Sequence, residues 1–214
     1  MASFSRSLAS TVLGVLAVGL LGCPTPAPVE MTDASMSSDT PMGAPLCSAV
    51  PTNNIGTSVG TNFEGFTLQL CDGTDFNFYS EERFCAEPHS LTVLSIAAEW
   101  CAPCREESRQ LRDRIVLPYG DRGVDVVQVI VQNSSYGPPD LALCNRWVTQ
   151  HNLEGVYEVI DPTGVTSPFF PTGSLPETAL IDETGRIVYR EAGATPQLAS
   201  LRSAIDRELT RLGR

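Results

Sequence analysis

Beyond residue 65 the apolar positions fall into short runs split by turn residues, and their period switches between two and about 3.6. Phe66-Thr67-Leu68-Gln69-Leu70 alternates like a half-buried strand, and Asp72-Gly73 offers a tight turn into Phe76-Asn77-Phe78-Tyr79. This predicts a β-hairpin ahead of the main sheet. Residues 91–98 and 124–131 are nearly continuous apolar runs, the pattern of strands covered on both faces. Between them lies a polar stretch, residues 105–114, which reads as a helix. Asp140 can cap a helix whose Leu141, Cys144, Trp147 and Val148 share one side, and residues 156–160 form a further short strand. Residues 179–182 and 186–189 flank Glu183-Thr184-Gly185 as a second hairpin. Thr195-Pro196 reads as an N-cap with proline in the first helical position, and Leu198, Leu201, Ile205, Leu209 and Leu212 make the closing helix amphipathic. The order βαβ then ββα implies an α/β domain with a central mixed sheet and helices on both faces.

The amino-terminal segment follows a different pattern. Arg6 precedes an uncharged, mostly apolar run, residues 8–21, too short for a comfortable membrane span and suited to a signal-peptide core. It ends in Leu20-Leu21-Gly22-Cys23, which resembles the bacterial lipobox, in which the cysteine is lipidated and becomes the new amino terminus. Residues 24–45 are rich in Pro, Ser, Thr, Asp and Met without apolar period, the composition of a disordered tether. The expected organisation is therefore a signal peptide over residues 1–22, a lipidated Cys23 and tether over 23–46, and one folded domain over 47–214. Acyl chains would hold that domain at a membrane while its body stays in water.

Composition narrows the chemistry. The 214 residues carry a formal net charge of −11, and all 14 basic side chains are arginine. No basic stripe exists for a nucleic acid, and the absence of lysine removes Schiff-base chemistry. There are seven cysteines, so six remain if Cys23 is lipidated, and an exported chain with six cysteines is expected to form disulfides.

Two of the six stand apart. Trp100-Cys101-Ala102-Pro103-Cys104 follows the buried run directly and opens the polar helix. A thiol at a helix amino terminus meets the positive end of the helix dipole, which favours the nucleophilic thiolate, and a second thiol one turn on can close a disulfide. The pair has the makings of a redox switch. A zinc site is not expected: Cys47, Cys71, Cys85 and Cys144 are dispersed, and His89 and His151 stand alone.

Trp-Cys-x-Pro-Cys after a buried strand, with Leu175-Pro176 far downstream leading into Ala179-Leu180-Ile181-Asp182, resembles the thioredoxin superfamily. The preceding hairpin, Cys104-Arg105-Glu106-Glu107 and the run from Leu180 to Val188 are similar to its membrane-associated TlpA/ResA-like branch. The resemblance implies a thioredoxin-like fold in which Cys101 attacks a partner disulfide and Cys104 resolves the mixed disulfide. It implies that Pro176 is a cis-proline beside the disulfide, that Leu175 pairs its backbone with an extended substrate segment, and that Trp100 shields the thiols and shapes the contact surface. Pro171 is the rival for the cis position. The resemblance also implies that Glu107, three residues after Cys104, accepts a proton or tunes the pair; a solvated helix acid is the plainer account.

Three positions depart from the family pattern. Ser95 stands where thioredoxin has a buried acid, Glu177 follows the expected cis-proline where a small hydroxyl residue is usual, and Arg109 replaces a helix proline. The resemblance implies a membrane-tethered thiol–disulfide oxidoreductase in the cell envelope of a bacterium, monomeric, with no cofactor beyond its redox-active disulfide and no metal. Its partners would be protein thiols and disulfides, with apocytochrome c or a membrane electron donor as candidates. Pro103 lacks an N–H for the Cys101 thiolate, which points towards a reductant. Pro24, in place of aspartate after Cys23, tilts the anchor towards the outer membrane.

Other readings are a redoxin-type peroxidase and a non-enzymatic envelope adaptor. The first needs Pro-x-x-x-Thr/Ser-x-x-Cys, and here Leu94 and Ala98 occupy the proline and hydroxyl positions. The spare cysteines are expected to form structural disulfides. Of three possible pairings, Cys71 with Cys85 would clasp the first hairpin and leave Cys47 for Cys144; alternatively Cys144 is a free core thiol.

Overall fold

A computed structural model describes residues 50–85, 87–170 and 173–214. The expected signal segment, Cys23, the tether, Cys47 and Pro171 lie outside the described residues.

The elements follow in the order β1 (Thr67–Leu70), β2 (Asp75–Asn77), a short α1 (Glu81–Phe84), β3 (Leu91–Ala98), α2 (Ala102–Leu111), a π-helical turn (Arg112–Val116), α3 (Leu117–Tyr119), β4 (Val124–Gln132), α4 (Leu141–His151), β5 (Tyr157–Ile160), β6 (Glu177–Asp182), β7 (Ile187–Ala192) and α5 (Ala199–Arg211). They form one seven-stranded mixed sheet of order β2-β1-β5-β4-β3-β6-β7. The first hairpin is thus part of the main sheet, since β1 pairs antiparallel with β5. β3 is buried along its whole length, pairing parallel with β4 and antiparallel with β6. Its uninterrupted apolar run is what such a central strand requires.

Alternation along β3 divides the core. Leu91, Val93 and Ala97 face a cluster filled from α2, α4 and α5, whereas Leu94 and Ile96 face a second cluster built largely of Phe63, Phe66, Phe76, Phe78, Phe84 and Phe169. Helices therefore lie on both faces, but unequally. The three long ones share one face, because β3-α2-β4 and β4-α4-β5 are successive crossovers stepping the same way, and right-handed crossovers then put both helices on the same side. Among the described residues the other face carries the short α1, a 3₁₀ turn over Ser167–Phe169 and the aromatic layer. Within that layer the Arg83 guanidinium lies 4.5 Å from the Phe78 ring centroid and 4.6 Å from that of Phe84. It also donates to the Thr92 hydroxyl at 2.8 Å, and burial lowers its pKa to about 10.

Two local expectations change. Thr195 makes no side-chain cap, and Pro196–Leu198 form a 3₁₀ turn in which Gln197 and Leu198 take positive φ. Continuous α-helix starts only at Ala199, because Leu198 turns the chain left-handed to enter the core. At the other end of the sheet, Gly123 (φ +81°) is a requirement: a Cβ there would sit 1.4 Å from the Pro88 carbonyl oxygen.

The spare cysteines pair differently from expectation. Cys71 is bonded to Cys144, so neither the Cys71–Cys85 clasp nor a Cys47–Cys144 bridge forms, and Cys144 is not a free thiol. The reason is tertiary. Pairing of β1 with β5 brings the end of β1 under α4, and both sulfurs lie near the Glu158 carbonyl oxygen, at 3.7 and 3.8 Å. Cys85 follows α1, whose Phe84 belongs to the aromatic layer on the opposite face.

Candidate active site

β3 ends at Ala98, a turn follows, and Cys101 becomes the N-cap of α2. Cys101 and Cys104 are joined in a disulfide, with Cα atoms 5.2 Å apart. The Cys101 sulfur accepts from the Cys104 backbone N–H at 3.1 Å, so a free helix-terminal N–H already points at the expected nucleophile. Pro103 contributes no N–H, and its fixed φ suits the first turn. Cys101 is only 2% exposed and Cys104 is fully buried. A partner must therefore reach the disulfide through a narrow opening.

The Leu175–Pro176 bond is cis. Ile96 pairs with Glu177 in the antiparallel β3–β6 register, so the next residues back, Pro176 and Leu175, stand level with the end of β3 from which the cysteine turn emerges. Leu175 packs partly against the cluster that contains both cysteines. Trp100 packs against the same cluster, donates its indole N–H to Gln132 Oε1 at 2.9 Å and stacks on Tyr136 at 5.2 Å between centroids. Glu99 is a rim residue, accepting from the Ser134 N–H at 2.8 Å and pairing with Arg146 at 3.5 Å.

Glu107 is 3% exposed, not a solvated helix acid. Its Oε1 accepts from Ser95 Oγ at 2.8 Å and from Thr178 Oγ1 at 3.2 Å. Burial pushes its pKa up to about 7; the two hydroxyl bonds pull the other way, and the Glu191 carboxylate adds a smaller rise. Such a group exchanges protons readily at neutral pH. A groove of about 610 Å³ between α2 and the β7–α5 connection, lined by Pro103, Glu106, Glu107, Gln110 and Pro196, gives it a route to water. A larger cavity of about 980 Å³ lies elsewhere, between residues 50–62 and the β6–β7 turn, and contains neither cysteine.

The departure at Ser95 now has a physical account. The buried acid comes from the helix and reaches back to the strand, where a hydroxyl takes the strand position. Behind it runs a directional relay. The Trp147 indole can only donate, and it does so to Gln128 Oε1 at 2.9 Å. Gln128 must then turn its NH₂ towards Ser95 Oγ, 3.1 Å away, leaving the serine hydrogen for Glu107. Ser108 Oγ lies within 3.0 Å of the same Gln128 oxygen and 2.9 Å of the Cys104 carbonyl oxygen. Sequence reasoning missed Gln128, Trp147 and Thr178. One signal was available: Gln128 lies in the middle of β4, between Val126-Val127 and Val129-Ile130-Val131.

Glu177 does not reach the substrate side. It is buried on the aromatic face and pairs with Arg190, whose guanidinium also donates to the carbonyls of Thr57 and Phe169. That arginine ties the segment before the cis-proline to the sheet. Arg109, the third departure, is exposed and pairs with Glu106 at 3.3 Å, while α2 runs on into the π-helical turn.

A mixed sheet of this order, with a Cys-x-x-Cys disulfide at a helix amino terminus beside a cis-proline, defines the thioredoxin-type thiol–disulfide oxidoreductases. The chain belongs to the Redoxin family, whose model matches residues 59–205. No curated protein sequence matches it. Among solved structures it is similar to a Chlorobium tepidum protein described as a thiol:disulfide interchange protein DsbE, with TM-score 0.59 and 22% identity over 72% of this chain and 99% of that one. A Bacteroides thetaiotaomicron protein described as a protein disulfide isomerase gives TM-score 0.58 and 21% identity over 72% of this chain and 91% of that one. The exposed lipoprotein thioredoxin Etrx1 of Streptococcus pneumoniae gives 0.51 and 22% over 66% of this chain and 98% of that one.

Proposed function

We propose that the protein is a lipid-anchored, extracytoplasmic reductant of protein disulfides, working through Cys101 and Cys104. The observation that carries this reading is the Cys101 sulfur at the head of α2, held by a backbone N–H, with the titratable carboxyl of Glu107 buried nearby. In the reduced protein the Cys101 thiolate attacks a partner disulfide, forming one S–S bond and releasing one partner thiolate. The carboxylate of Glu107 takes the proton of the Cys104 thiol, and the Cys104 thiolate attacks the Cys101 sulfur, closing the Cys101–Cys104 disulfide and expelling the second partner sulfur as a thiolate that takes up a proton. The partner leaves as a dithiol, and two electrons have passed to it from the Cys101–Cys104 pair. Trp100, Leu175 and Pro176 form the surface against which the partner segment lies. The disulfide itself is the redox group, so no added cofactor or metal is needed.

The reductant direction rests on Pro103, which cannot donate to the thiolate and so leaves the reduced form less stabilised. A protein dithiol in the envelope or a membrane electron donor would return electrons to the pair, and apocytochrome c is one candidate substrate. Lipidation of Cys23 places the domain outside the cytoplasm, Pro24 favours the outer membrane, and Etrx1, a lipoprotein thioredoxin of similar fold, supports the anchored arrangement. The peroxidase reading is disfavoured because Leu94 and Ala98 are buried apolar residues that offer a peroxide no hydroxyl.

Insulin reduction by full-length protein tests this. Cys101→Ser should abolish turnover, and Cys104→Ser should stall as a mixed disulfide that accumulates on the chain. Unchanged turnover in both variants sinks the exchange mechanism.

A further inference from the structure

Tyr136 combines three properties that no structural role accounts for. It is 67% exposed, the most exposed of the large apolar or aromatic side chains described. Its ring stacks on Trp100, the residue immediately before the nucleophile, at 5.2 Å and 32°. Its backbone takes φ +63°, a conformation that a bulky side chain seldom adopts. The next residue is Gly137, which could take a left-handed φ without penalty, yet it is Tyr136 that does so.

The surrounding loop holds this conformation firmly. Asn133 Oδ1 accepts from the N–H groups of Ser135 (2.9 Å) and Gly137 (3.0 Å), and its Nδ2 donates to the Pro138 carbonyl at 3.0 Å. Gln132 joins the two aromatics: its Oε1 takes the Trp100 indole N–H, and its Nε2 lies 3.4 Å from the Tyr136 carbonyl oxygen. Glu99, from the cysteine turn, accepts from Ser134 N–H. Strain that is over-determined by its surroundings and faces solvent beside a reactive group points to recognition.

We infer that Tyr136 is a specificity-determining residue: with Trp100 it forms an aromatic platform that receives an apolar side chain next to the attacked cysteine of an extended protein substrate. This rests on the exchange function proposed above and names the substrate feature it selects. The platform continues the contact surface of Trp100, Leu175 and Pro176. Its occupant is apolar because the neighbouring charges are already engaged: Glu99 with Arg146 and the Ser134 N–H, and Arg105 with the Glu99 carbonyl at 2.6 Å. Among the described residues, the carboxylate beside the platform, Glu99, is thus already paired and does not select a cationic residue.

Two synthetic peptide disulfides, identical except for Leu or Ser beside the attacked cysteine, make the test, with full-length protein and kcat/KM as the readout. The wild type should prefer the Leu peptide by about five- to tenfold, in the range expected of one aromatic–apolar contact. Tyr136→Phe should keep that preference, and Tyr136→Gly should bring it close to one. The ratio does not depend on the fraction of protein folded, so a destabilised variant still reports. An equal rate on both peptides in the wild type, a preference surviving in Tyr136→Gly, or a third peptide with Arg being favoured over Leu overturns the inference. Cys101→Ser separates the two levels: if that variant still reduces the peptides, the exchange mechanism itself fails, whereas loss of turnover with an unchanged Leu preference in Tyr136→Gly refutes only the platform.

Discussion

Replacing Ser95 by alanine should raise the proton affinity of Glu107 and change how stability depends on pH. The serine hydrogen is forced towards Glu107 Oε1, because the Trp147–Gln128 relay occupies the acceptor side of the hydroxyl. A hydrogen bond to a charged group contributes about 1.5–3 kcal/mol, and one pKa unit corresponds to about 1.4 kcal/mol. Loss of this donor should therefore lift Glu107 from about 7 by roughly one to two units.

The sign for stability follows from where the protons are held. Folded Glu107 keeps its proton to about pH 7, whereas in the unfolded chain it loses it near 4.5. The folded state thus binds more protons in that window, and stability falls as pH rises through it. In Ser95→Ala the fall continues for a further one to two units. The variant also leaves the Gln128 NH₂ without its acceptor, a cost common to all pH values. Urea unfolding of oxidised wild type and variant at pH 5 and pH 9 separates the two effects. The destabilisation at pH 9 should exceed that at pH 5 by about 1.5–3 kcal/mol. An equal loss at both pH values would show that Ser95 does not hold the Glu107 carboxylate and refutes the relay.

Non-reducing peptide mapping should recover Cys71 linked to Cys144, and recovery of Cys71 linked to Cys85 would refute the packing of β1 under α4. Removing the Cys71–Cys144 bond, which closes a loop over a separation of 73 residues, should cost about 4 kcal/mol by loop entropy, read as a lower urea midpoint without loss of the redox pair. Glu158 is buried with no hydrogen-bond partner for either carboxyl oxygen, and burial raises its pKa well above the usual range. Its folded form therefore holds a proton that the unfolded chain releases, and Glu158→Gln should flatten the decline of stability with rising pH; an unchanged slope refutes this.

Much of the molecule is legible in the linear pattern. The run over residues 91–98 marks the central strand, the turn at residues 99–101 presents the cysteines, and a thiol placed at a helix start is electrostatically primed wherever the helix packs. These are local matters, fixed by side-chain period and by backbone groups a few residues apart. The position of Leu175-Pro176 at the head of the last hairpin was also readable, because the family pattern keeps it in sequence order. What only the tertiary structure decided involves residues distant in sequence. Cys71 meets Cys144 because β1 adds to β5 under α4; nothing in the spacing of the cysteines favours that pair over the other two. Glu107 became a buried, titratable acid only when Ser95 and Thr178, on two neighbouring strands, closed over it. Glu177 became an anchor for Arg190 because the period of two in β6 turns it to the aromatic face, away from the disulfide, while Thr178 turns towards Glu107. Burial and proton affinity are set by what the whole fold brings around a group, so a chain can announce its redox pair while leaving the tuning of that pair to packing.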